Sequence, residues 1–136
     1  MYRAVDVANY IEEYCNQINK PIGETKLHKL LYFVQAYSLT MTKDRAPCFS
    51  DRIEAWDYGP VIASIYHMPI KKMRAISNPV NEQTKKIASH VVDMFVDKSA
   101  IQMEDLTHGQ APWNSVYVKS ANNEISCDAI KGTAGL

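Results

Sequence analysis

The chain has 136 residues, 46% of them hydrophobic and 22% charged, with 15 Lys and Arg balancing 15 Asp and Glu. That length suits one domain, and that composition suits a packed core rather than a disordered tail. Zero net charge argues against a duplex-binding protein, whose affinity rests on a basic excess facing phosphate.

In chain order, Val7, Tyr10, Ile11, Tyr14, Cys15 and Ile18 recur at three- and four-residue steps, which predicts an amphipathic helix. Asp6 is placed to cap its free amides, and Pro21 stops it near Asn19. A second helix carries Leu27, Leu30, Leu31, Val34, Tyr37, Ser38 and Met41 on one face. Gly23 serves as its N-cap, with Thr25 the competing cap, and Ile22 and Leu27 stand at hydrophobic-staple positions. Residues 42–59 break the pattern, and 49–58 read as irregular or a short strand. Gly59-Pro60 then opens a third helix, with Val61, Ile62, Ile65 and Tyr66 on its buried side and Pro69 as its limit. A basic linker holds Lys71, Lys72 and Arg74. Asn81 caps a fourth helix bearing Ile87, Ala88, Val91, Met94 and Phe95. Ser99 and Gln102 match a capping box and start a short helix with Met103 and Leu106. Gly109 ends it in a left-handed C′ position. Pro112-Trp113 begins a turn or helix through Val118, 120–124 is a loop, 125–130 a final helix, and 132–136 a frayed tail. The expected fold is mainly α: one compact domain of about five or six helices, core about 5–130.

Catalytic and metal signatures are missing from the pattern. Cys15, Cys48 and Cys127 form no Cys-x-x-Cys, as suits a reducing compartment. His28, His67, His90 and His108 form no His-x-x-x-His pair, so neither metal nor cofactor is expected. Cys48 lies beside Pro47 without a nucleophile-elbow signature, and Glu54 and Asp57 are close only in sequence. The N-terminus lacks an apolar leader and no run of about 18 apolar residues exists. A cytoplasmic, non-enzymatic protein without membrane contact is the expectation.

Three clusters exceed generic helix patterning. The first is Lys26-Leu27-His28-Lys29-Leu30-Leu31-Tyr32-Phe33-Val34-Gln35-Ala36. The second is Glu54-Ala55-Trp56-Asp57-Tyr58-Gly59-Pro60-Val61, followed by Ile65-Tyr66. The third is Leu106-Thr107-His108, then Pro112-Trp113. In this order they resemble the Panacea domain of phage-associated GepA-like and SocA-like antitoxins. The resemblance implies a mainly helical module that binds and neutralises a toxin encoded beside it, SocA-like members instead delivering the toxin to the ClpXP protease. It supplies no catalytic residues. His28 stands where many members carry Gln, Gly23 where Thr is common, and the tail lacks the usual aromatic finish.

The candidate protein-binding residues are therefore Lys26, Lys29, Tyr32 and Gln35 on the polar side of the second helix, Trp56, Tyr58 and Tyr66, and His108 with Trp113. Against these stand quieter roles: core packing for Trp56 and Trp113, helix-end hydrogen bonding for His108, a solvated face for the second helix. Gly59, Pro60, Thr107 and Pro112 read as structural. A regulator touching DNA through Lys26, Lys29 and the 71–74 cluster is the alternative that neutral charge disfavours. Oligomeric state stays open, because self-association would use the same aromatics.

Overall fold

In the computed structural model, which describes residues 1–133, the first apolar repeat forms α1 (Ala4–Gln17). It starts earlier than predicted, so Asp6 lies inside the first turn rather than at the cap. Its carboxylate still accepts the amide of Arg3, at 3.1 Å, and also that of Asn78, at 2.7 Å. One buried side chain thus ties a helix start to a loop seventy residues away. Asn19, with φ 57°, ends the turn after α1.

α2 (Glu24–Met41) begins after the Gly23 cap. Ten consecutive residues, 27–36, are buried, because α1 and, from later in the chain, three helices and a strand pack around it. A helix enclosed on all sides has no polar face. The prediction of one apolar face was therefore too narrow, and Lys29, Tyr32 and Gln35 turn inward with the leucines.

The segment from 49 to 61 departs most from expectation. β1 (Ile53–Trp56) turns through Asp57 and Tyr58 into β2 (Gly59–Val61), pairing Trp56 with Gly59 and Ala55 with Pro60. The expected helix at Gly59-Pro60 is thus a strand. Gly59 sits at φ +123°, which L side chains rarely adopt. Pro60 is tolerated because β2 lies at the edge of a three-stranded sheet whose central strand is β1. A 3-10 turn over Ala63–Ile65 follows. Ile62 and Ile65 are buried as predicted, but Tyr66 is 40% exposed. Pro69 caps rather than ends a helix: α3 (Ile70–Ile76) contains the basic cluster read as a linker, with Lys71, Lys72 and Arg74 exposed.

α4 (Glu82–Phe95) is capped by Asn81, whose side chain accepts from Thr84 N at 2.9 Å. α5 (Ala100–His108) has the capping box, Gln102 N to Ser99 Oγ 3.1 Å and Ser99 N to Gln102 Oε1 2.8 Å. Gly109 follows it at φ −77°, a right-handed conformation and not the left-handed one predicted. α6 is only Ala111–Asn114, stopping short of Val118. β3 (Asn123–Ile125) replaces the expected loop end and pairs antiparallel with β1, Ile53 against Ile125. α7 (Cys127–Thr133) closes the chain. Gly132 belongs to this helix; positions 134–136 of the expected frayed tail lie outside the described residues. One contiguous apolar cluster, drawn from α1 to α7, forms the core. Among the described residues no helix is long and apolar enough to cross a membrane.

Candidate functional site

The three motif clusters meet in space, with unequal roles. A cleft of about 400 Å³ opens where the start of α2 faces the β1–β2 hairpin and the segment after the 3-10 turn. α2 contributes Glu24, Thr25, His28 and Lys29; the hairpin contributes Trp56, Asp57, Tyr58, Pro60 and Val61; Tyr66, His67, Ser120 and Asn122 complete the rim.

The walls are aromatic. Trp56 meets Tyr66 edge-on with ring centroids 4.6 Å apart, and Tyr66 lies 3.9 Å from the His67 ring. Trp56 is half-buried, its Nε1 donating to Glu54 Oε1 at 2.9 Å. Tyr58, at the hairpin tip, is 75% exposed. His67, Ser120 and Asn122 carry φ of 58°, 61° and 53°, uncommon outside glycine. Glu24 holds the first of these, accepting His67 N at 2.6 Å and facing His67 Nδ1 at 3.0 Å. Burial would raise the Glu24 pKa, but these two bonds outweigh it and hold the carboxyl below its ordinary range. Asp57 accepts Tyr117 OH at 2.8 Å and Ser120 N at 3.1 Å, which likewise keeps it ionised.

His28 and Lys29 form the floor, both 2% exposed. Ile62 N donates to His28 Nδ1 at 3.1 Å, so the ring proton sits on Nε2, which finds no hydrogen-bond partner. Burial pulls the His28 pKa down to about 4, against the Glu24 carboxylate 3.7 Å away, so the ring is neutral. Lys29 has neither a hydrogen bond nor an ion pair among the described residues. Burial lowers its pKa, opposed by Glu104. A Cβ built on Gly59 would lie 3.3 Å from Lys29 Cε and 3.4 Å from Thr107 Oγ1, so the hairpin's glycine lets the chain pass close over both side chains.

The third cluster buttresses the hairpin. His108 stacks on Trp113 at 3.7 Å, and Trp113 on Tyr117 at 4.3 Å. Trp113, 7% exposed, donates from Nε1 to Trp56 O at 3.1 Å. Pro112 and Thr107 are buried, the latter donating to Glu104 O at 2.9 Å. The rest of the first cluster is hydrogen-bonded within the fold, Lys26 while partly exposed. Lys26 Nζ donates to Val96 O at 2.6 Å, at the end of α4. Tyr32 OH donates to Gln110 Oε1 at 2.9 Å. Gln35 accepts Cys48 N at 2.8 Å and Phe49 N at 3.2 Å and donates to Phe49 O at 2.9 Å. Of the predicted contact residues, Trp56, Tyr58, Tyr66 and Lys29 share the cleft; Lys26, Tyr32, Gln35, His108 and Trp113 do not line it. Burial removes Lys29 from any basic surface shared with residues 71–74, while Lys26 stays partly exposed.

Sequence reasoning missed Glu24, His67, Ser120 and Asn122. Glu24 had a signal, four residues before His28 on one helix face; the other three carried none, since positive φ is not written in a His or Ser. Among the described residues no three His, Cys, Asp or Glu are grouped to hold a metal ion, and burial pushes the Cys48 thiol up to about 11.

A family model described as antitoxin SocA-like, Panacea domain, matches residues 27–114. That span holds α2 from Leu27, the hairpin and the α5–α6 buttress. No curated protein and no solved structure matches the chain. With most of its length and most of the cleft inside the match, the chain belongs to the antitoxin SocA-like, Panacea domain family.

Proposed function

We propose that this antitoxin-type domain neutralises a cognate toxin, encoded beside it, by direct protein–protein binding at the cleft, without catalysis. The observation that carries the reading is Tyr58, 75% exposed at the tip of a hairpin braced from behind by the Trp113 and Tyr117 hydrogen bonds. An aromatic ring held in solvent by a rigid support loses little entropy on docking, and such residues dominate interface energetics. Tyr66 and half-buried Trp56 extend the same surface into the cleft.

The test is genetic. The adjacent open reading frame is induced alone and together with this chain. Growth arrest that this chain relieves, and that Tyr58→Ala relieves poorly, is the expected result. A harmless neighbour that never binds in a pull-down would end the reading. Toxin half-life with and without ClpXP distinguishes blocking from delivery to the protease.

A further inference from the structure

Lys29 is the least expected side chain in the core. An ammonium withdrawn from water is costly unless an anion compensates it, yet none of the described residues pairs with it. Glu104, the acid whose field it feels, lies beyond ion-pair distance of it. The two acids that line the cleft, Glu24 and Asp57, are engaged by His67 and by Tyr117 with Ser120. What remains open to Lys29 is the cleft it lines.

We propose that the cleft is the seat for an acidic side chain of the bound protein, whose carboxylate pairs with Lys29 Nζ while adjoining apolar atoms pack against Trp56 and Tyr66. This rests on the direct-binding reading above and names the chemistry of its central contact. The charge pattern selects the occupant. Glu24 and Asp57 at the rim, with His28 neutral, leave one cation facing two anions, so a phosphate chain or nucleic acid with its several charges meets more repulsion on the way in than a single carboxylate does. A single carboxylate on the floor answers a single ammonium. Lys29 is only 2% exposed in the free protein, so docking strips little further water from its side of the pair. The aromatic walls suit the methylenes of a glutamate and its neighbours, as pockets do that combine apolar lining with one placed polar group.

The test pairs changes on both sides of the complex. Each Asp and Glu of the neighbouring gene product is changed to Asn or Gln, and dissociation constants are measured against the wild-type chain and against Lys29→Met. One amide change is expected to weaken binding to the wild-type chain about 100-fold and to have almost no further effect on Lys29→Met, which is itself weakened to a similar degree. Lys29→Met is expected to melt no lower than wild type, which separates lost contact from lost fold. Wild-type affinity retained by Lys29→Met overturns the seat. So does a scan in which no acid matters, and that arm needs no folded variant of this chain. Displacement of the complex by inorganic phosphate, with no acid mattering, assigns the cleft to a free anion and also overturns it. A wild-type chain that binds nothing sinks the direct-binding reading and the seat together.

Discussion

Gln35 satisfies three backbone groups of one loop with one amide: Cys48 N, Phe49 N and Phe49 O. Nothing else in the core replaces it, so Gln35→Ala should lower unfolding free energy by about 2–4 kcal/mol in urea titration, several buried groups losing partners at once. His28 gives the pH counterpart. Its folded pKa is about 4 against an ordinary 6.5, so the unfolded chain takes up the proton first. Stability is complete above 6.5 and declines as pH falls toward 4, by about 3 kcal/mol for this group. His28→Gln keeps an acceptor for Ile62 N and should flatten that stretch of the urea-midpoint profile. These residues also show where reading the sequence stopped. Lys29, Tyr32 and Gln35 looked like a polar helix face because residue type is visible in a sequence and a tertiary partner is not. The apolar positions Leu27, Leu30, Leu31 and Val34 needed no such partner and were legible.

Local elements were readable where their signal was local. Asn81, the Ser99–Gln102 box and the Gly23 start all stand as the side-chain chemistry dictates. Asn81→Ala should therefore cost about 1 kcal/mol in thermal or urea unfolding, the usual loss of an N-cap. Gly59-Pro60 misled because proline suits a first helical turn and an edge strand alike. Only pairing with β1, itself held by residues 123–125, decides between them. Gly59→Ala combines an unfavourable backbone with a contact 3.3 Å from Lys29 Cε. It should destabilise by about 1–3 kcal/mol and weaken rescue, since the hairpin carries Trp56 and Tyr58.

At the scale of the molecule, a single mainly α domain followed from length and periodicity, while the sheet and the cleft arose from contacts that no window of sequence spans. Stability and binding should accordingly separate at the exposed rim. Tyr58→Ala should leave unfolding within about 0.5 kcal/mol of wild type while impairing toxin rescue, a contrast that thermal melts beside growth assays will show. The sheet has a further consequence for timing. β1 and β2 are made early, but β3, Trp113 and Tyr117, which support them, emerge up to some sixty residues later. At translation speeds of about 5–20 residues per second, that is roughly 3–13 s. A nascent chain on the ribosome therefore presents its aromatic hairpin before it can hold it in shape, and any partner that needs the finished hairpin must wait until synthesis has passed the last strand.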